Sequence, residues 1–269
     1  MQDILGNIEA NNFPAAFEKN MIAFWSAYGR AKNCHLHSEK NLVWFYTRIA
    51  FPLFNGVIFA NTNEAEAQFV IDKLQSKINA QGSPALWWIG PRTMPRNIST
   101  LFEKHGLNSA GEVPAMAMEL SLLPKEPQPI ARFSLRKVDS AEMQSLWARI
   151  AATGTGFPDQ AIDQMTQLEK TITDPQYQSQ QRYIGYLEDV PVATSALVLD
   201  AGVAGIYAVA TLPEARQKGI GRMMTMMPLL EARDMGYRIG ILQSSPAGYS
   251  VYQKLGFQEL WKYSLYLQS

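Results

Sequence analysis

Thr211-Leu-Pro-Glu-Ala-Arg216-Gln-Lys-Gly219-Ile-Gly221-Arg222 is the most distinctive run in this chain. It follows an apolar, strand-like run, Ile206-Tyr-Ala-Val-Ala210, and opens a long helical pattern. A strand, a short basic glycine loop and a helix start together make an anion cradle. The first-turn N–H groups of a helix lack internal partners and lie at the positive end of its dipole. Glycines at 219 and 221 let a phosphate approach that backbone, and Arg216, Lys218 and Arg222 add charge. Taken alone, the same residues also suit a plain glycine turn before an ordinary amphipathic helix.

Two familiar phosphate loops do not fit. A Walker loop needs Lys-Ser/Thr after its last glycine, and Gly221 is followed by Arg222-Met223. A dinucleotide fold needs a third glycine where Met224 stands. The pattern Arg-x-x-Gly-x-Gly instead resembles the pyrophosphate loop of the GNAT acyltransferase superfamily. A second motif lies downstream in the order that family shows. Tyr237–Gln243 reads as a strand, Ser244–Ser250 as a turn, and Val251-Tyr252-Gln-Lys-Leu-Gly256-Phe257 as a short helix closed by glycine. The resemblance covers about residues 131 to 269.

That resemblance implies an α/β fold, a mixed twisted sheet with helices on both faces, and acetyl-coenzyme A as cosubstrate, with no metal. It places Val209 and Thr211 in the coenzyme slot and the amides of Gln217, Lys218, Gly219, Ile220, Gly221 and Arg222 on the pyrophosphate. Arg216 joins them by charge. Ser245 sits where the family often carries Asn, which puts that contact in doubt. Tyr252 stands where the family's tyrosine protonates the departing thiolate; packing alone is the alternative. The implied activity is N-acetylation of a primary amine, on a small molecule or a peptide, by direct transfer in a ternary complex. Many members place a Glu on the strand before the glycine loop as base. Here that strand, Ala204–Thr211, has no carboxylate. The gap leaves a coenzyme-A-binding sensor or scaffold as the competing reading. Tyr207 reads as a core or pocket-wall residue, Glu214 as paired with Arg216 or solvated, and Phe157 as acceptor wall or packing.

Composition sets the outer bounds. The chain has 269 residues, 47% hydrophobic and 18% charged, which suits one large or two ordinary globular domains. There is no apolar run of membrane-spanning length. Met1-Gln-Asp-Ile-Leu-Gly lacks the order of a signal peptide. The single Cys34 suits a reducing cytoplasm, the expected location. The 24 basic and 24 acidic residues argue against broad nucleic-acid binding. Cys34-His-Leu-His37 resembles a metal fragment, but the only other histidine is His105.

Pro124-Lys-Glu-Pro127-Gln-Pro129 is a stiff connector. It divides the chain into 1–123, a linker at 124–130, and 131–269. In the second part, strands are expected at 132–138, 182–188, 191–199, 204–211, 237–243 and 260–267. Helices are expected at 140–152, 159–172 and 219–235, with Glu188-Asp189 as a hairpin turn. Met223, Met226, Met227 and Leu230 form the buried stripe of the last of these helices.

The first part reads as a worn copy of this plan. Strands are expected at 41–47, 56–60 and 84–90, with a helix over 64–80 self-capped by Asn63 and Glu66. Leu101-Phe102-Glu-Lys-His-Gly106-Leu107 lines up with Val251–Phe257, and each is followed by a strand. Phe102 replaces Tyr252, and acidic residues replace the basic loop. This half is therefore expected not to bind the coenzyme. Trp87-Trp88 should send one ring to each face of its strand. A homodimer through the apolar faces is compatible with this plan.

Overall fold

The computed structural model describes residues 4–171 and 180–269. Position 172, the end of one expected helix, and Met1–Asp3 of the N-terminal reading lie outside the described residues. The N-terminal half contains α1 (Phe13–Gly29), β1 (His35–Glu39), β2 (Leu42–Tyr46), β3 (Asn55–Ala60), α2 (Glu64–Asn79), β4 (Ala85–Ile89), α3 (Ile98–Lys104) and β5 (Asn108–Glu119). The C-terminal half contains β6 (Phe133–Lys137), α4 (Ala141–Thr155), α5 (Asp159–Lys170), β7 (Gln180–Leu187), β8 (Val190–Asp200), β9 (Val203–Thr211), α6 (Ile220–Asp234), β10 (Ile239–Gln243), α7 (Tyr249–Leu255) and β11 (Gln258–Gln268).

The expected strands and helices are present, with shifted ends. α4 runs through Thr153-Gly154-Thr155, which the sequence suggests as turn, and stops at Gly156 in a left-handed conformation (φ 86°). Ser140 caps its start by accepting from the Met143 amide at 3.2 Å. Asn63 likewise accepts from the Glu66 amide at 2.9 Å. Glu188 and Asp189 both take positive φ, as a tight hairpin turn requires.

The strands among the described residues join one 11-stranded sheet, in the order β1-β2-β3-β4-β11-β5-β10-β9-β8-β7-β6. The run β2-β3-α2-β4-α3-β5 repeats as β8-β9-α6-β10-α7-β11. The repeat extends to the hydrogen bonding. β3 meets β4 in parallel only at Gly56/Leu86 and Val57/Trp87, and β9 meets β10 only at Ala204/Gly240 and Gly205/Ile241. The last strand of each half crosses to the other: β5 pairs with β10, and β11 pairs with β4. The two exchanged strands pair with one another at the centre.

Alternation sorts the core into layers. On one face, α6 and α7 pack through Met224, Leu229 and Tyr252 against Met116, Met118 and Leu242. Beside them, α2 and α3 pack through Ile71, Leu74 and Phe102 against Trp87 and Tyr266. The opposite face holds α1, α4 and α5 with Trp88, Ala115, Ala117 and Tyr207 in one continuous core. Trp87 and Trp88 thus point to opposite faces, as expected. Of the stripe expected on α6, Met223 and Met226 are buried but Met227 and Leu230 are only half-buried; the buried face is turned toward Met224, Thr225 and Leu229, which the sheet covers.

α1 is the element the sequence reading passes over. Phe13, Phe17, Met21, Phe24 and Tyr28, a helical apolar stripe, are all buried. The helix touches β2 and β3 of its own half and β8 and β9 of the other. No helix among the described residues is long and apolar enough to cross a membrane.

Candidate functional site

The site lies where β9 and β10 part. Beyond Gly205 and Ile241 the two strands share no register, and the following β9 backbone, with the half-buried Val209 and Thr211, faces a gap. A bulge in β9 opposite Thr194–Ala196 widens it. Ala208 sits there at φ 49°, a costly conformation for a residue with a side chain, and the Thr194 hydroxyl holds it by donating to the Ala208 carbonyl at 2.9 Å.

The glycine loop closes the open end. Gln217 and Gly219 both take positive φ, at 62° and 78°, which turns the chain sharply into α6. The first α6 amide with a backbone acceptor is Met223, bonded to the Gly219 carbonyl at 3.2 Å. Among the described residues, the amides from Gln217 to Arg222 donate to no protein acceptor. Lys218 and Arg222 are exposed beside them. A row of free amides at a helix start with two nearby cations is built for an anion.

Arg216, expected to add charge to the cradle, is exposed at the loop and also braces the frame. Its Nε donates to the Thr211 carbonyl at 3.1 Å and its Nη2 to the Gly154 carbonyl at 2.9 Å. These two bonds tie the end of β9 to the end of α4, and the exposed guanidinium still carries its charge beside the loop. Glu214 is exposed and makes no ion pair among the described residues, so the pairing with Arg216 is replaced by solvation. Ser245 accepts from the Gly248 amide at 3.2 Å and shapes the turn into α7.

Tyr252 is buried, with its ring edge-on to Phe257 at 6.0 Å. Burial pushes its phenol up to about 12, and the neighbouring Thr225 hydroxyl offsets part of that. Thr225 itself donates to the Gly221 carbonyl at 2.9 Å, so Tyr252 and the cradle share a contact. In the other half, Phe102 holds the matching place without a hydroxyl. The matching loop lines an open hollow of about 500 Å³ with Asn61, Asn63, Glu64 and Glu66. Those carboxylates disfavour a phosphate.

Tyr207 is a core residue. Its hydroxyl donates to Asn20 Oδ1 at 2.8 Å, and its ring stacks on Phe24 at 4.2 Å. Asn20 in turn donates to the carbonyls of Val198 and Val203. A Cβ on Gly205 would lie 2.0 Å from Asn20 Oδ1. The floor of the cleft is thus filled by α1 of the N-terminal half, and β9 itself has no room there for a larger side chain. Phe157 packs on Phe51 and Phe54 of the same half, at 4.4 and 5.8 Å. His35 and His37 both stack on Trp44. The α1 contribution was readable only as an apolar stripe; nothing in the sequence aims it at β9.

Central parallel strands that part above an amide-lined helix start make the frame of an acyl-transferring α/β enzyme. The sequence comparisons supply the family. An acetyltransferase (GNAT) domain model matches residues 178–259, so a GNAT acetyltransferase domain lies within the C-terminal half. Two solved structures share the whole two-part fold. A GCN5-related N-acetyltransferase from Kribbella flavida is 18% identical, with a TM-score of 0.66 over 93% of this chain and 95% of that one. A tandem GNAT protein from the clavulanic acid biosynthesis pathway is 9% identical, with a TM-score of 0.61 over 98% and 97%. A GCN5-related N-acetyltransferase from Sphaerobacter thermophilus is 14% identical, at 0.59 over 87% and 75%. At these identities the likeness is one of fold. No curated protein sequence matches this chain.

Proposed function

We propose that this chain is an acetyl-coenzyme-A-dependent N-acetyltransferase of a primary amine, with one coenzyme site per chain. It reads as two GNAT-like units, 1–123 and 131–269, joined by the proline segment, and only the second keeps a cradle. The observation that carries the reading is the row of unpartnered amides from Gln217 to Arg222 at the mouth of the β9/β10 gap. The pyrophosphate would accept from these amides, with Lys218 and Arg222 supplying charge. The acyl arm would run into the gap beside Val209 and Thr211, where β9 has no pairing on its β10 side. A buried Tyr252 stays a neutral phenol across the working pH range and can give its proton to the leaving thiolate.

Calorimetric titration of the purified chain with acetyl-coenzyme A, alongside Gly221→Asp, tests this. A Cβ at Gly221 would meet nothing closer than Thr211 Oγ1 at 3.9 Å, so the fold has room for the change. The aspartate would place negative charge among the free amides. The expected result is one site in the parent chain and a loss of at least about a hundredfold in the variant, the scale of a removed charge-assisted contact set. Equal affinity in the two proteins would rule the cradle out.

A further inference from the structure

The apolar face of α6 buries one hydroxyl. Thr225 is 0% exposed and stands between Met224 and Met226, which are as deeply buried. An alcohol in that position costs stability unless its hydrogen and its lone pairs have partners. The hydrogen goes to the Gly221 carbonyl at 2.9 Å, one turn back along the helix, as threonines in helices often do. That carbonyl shares a peptide group with the Arg222 amide, one of the free donors of the cradle. Thr225 therefore stands directly behind the anion site, and its lone pairs are left for another donor.

The donor that meets them is Tyr252. α7 lies against α6, and the phenol is hydrogen-bonded to the Thr225 hydroxyl. The ring is fixed from the other side. A Cβ on Gly248 would lie 2.7 Å from Tyr252 Cε2 and 3.2 Å from Cζ, so the turn after β10 touches its hydroxyl end. Gly221, for its part, faces Thr211 at the end of β9. The two hydroxyls thus meet between the end of β9 and the turn after β10, at the mouth of the gap. Since the Thr225 hydrogen is on Gly221, the bond they share runs from the phenol to Thr225. The rest of the core around them, Met116 and Met118 of β5, Leu242 of β10 and Phe257, is apolar. Among the described residues no charged group shifts the phenol, and Thr225 is the one donor that faces it.

We propose that Thr225 is a positioning residue for the transfer, which steadies the Tyr252 proton before it leaves and gives its own hydrogen to the phenolate afterwards. The proposal rests on the coenzyme reading above. As the thioester carbon is attacked the C–S bond breaks, and its electron pair leaves on sulfur. The Tyr252 O–H bond breaks, the proton forms the S–H bond, and the electron pair stays on the phenol oxygen. The Thr225 hydroxyl then turns from the Gly221 carbonyl to that oxygen. It exchanges a bond to a neutral acceptor for one to an anion, which is the stronger of the two. The proton that the attacking nucleophile sheds returns to Tyr252 through water, and Thr225 turns back.

Difluorotyrosine placed at position 252 of the full chain titrates at mild pH and is read by fluorine NMR. Hydrolytic thiol release from acetyl-coenzyme A, with water as acceptor, reads turnover. Thr225→Val removes the hydroxyl and keeps the shape. We expect it to raise the midpoint of the fluorinated phenol by about one pH unit, because the phenolate loses its donor. It should lower kcat by roughly three- to tenfold, with acetyl-coenzyme A affinity within about twofold. Thr225→Ser should restore both values. On a Tyr252→Phe background Thr225→Val should lower kcat no further, since it acts through the phenol. If melting curves show Thr225→Val unfolded, Thr225→Ala takes its place. A midpoint that does not move, or a loss of kcat that persists on the Phe background, overturns the proposal and leaves Thr225 bonded to its own helix only. If the parent chain binds acetyl-coenzyme A but releases no thiol, the midpoint decides by itself. A parent that does not bind acetyl-coenzyme A refutes the coenzyme reading instead, and the midpoint still shows whether Thr225 acts on the phenol.

Discussion

Tyr252 shows how one environment shapes one group. A phenol at 7% exposure on a seven-residue helix is held by Phe257 on one side and Thr225 on the other. Burial raises its proton affinity, so it stays protonated where the coenzyme thiol is already partly ionised. We expect Tyr252→Phe to lower kcat by about ten- to a thousandfold, the span of a lost general acid, with coenzyme affinity within about twofold. A Phe variant at full rate would leave Tyr252 as packing, the role Phe102 already plays at the matching position. The residue type and its place in the motif were legible in the sequence. Its burial and its contact with Thr225 were not, because α6 and α7 meet only in the fold.

At the scale of elements, β9 carries the most constraint. It must twist out of register with β8 at the bulge, part from β10, and lie under α1. Gly205 is where the last demand is sharpest: a methyl there would meet Asn20 Oδ1 at 2.0 Å and the Tyr207 ring at 2.6 Å. Asn20 cannot retreat without giving up its bonds to the Val198 and Val203 carbonyls. Gly205→Ala should therefore destabilise by about 1–3 kcal/mol or more, as overpacking a fixed neighbour does, and chemical denaturation would measure it. A variant as stable as the parent would mean that α1 shifts freely on the sheet. The loop and strand of this element stood out in the sequence, since glycine spacing and apolar runs are local. The bulge did not, because Ala208 is an ordinary residue whose strained conformation is imposed by Thr194.

For the whole molecule, the exchanged strands decide how far the halves can act alone. Residues 131–269 by themselves lack β5, so β10 would lose its antiparallel partner and present an open edge beside the site. Residues 1–123 alone would lack β11 against β4. We expect the isolated 131–269 fragment to aggregate or to bind acetyl-coenzyme A at least about tenfold more weakly than the full chain, as a site on an open, unpaired sheet edge does. Co-expression with 1–123 should restore binding, with calorimetry and gel filtration as the readouts. A fragment that binds like the full chain would show the exchange to be dispensable.

The glycine loop, the Tyr252 helix, the α/β order and the acidic self-capped loop of the first half are encoded locally in the chain. Each depends on neighbours within a few positions, where capping, turn geometry and periodicity act. Distant pairing sets the crossing of β5 and β11 between the halves, the anchoring of Arg216 to the Thr211 and Gly154 carbonyls, and the place of α1, with Asn20, against β9. Those outcomes depend on backbone pairing and on burial between residues that can lie 187 positions apart, as Asn20 and Tyr207 do. Such pairings leave no periodic trace in the chain, because any strand edge offers the same donors and acceptors and only the closed sheet chooses among them.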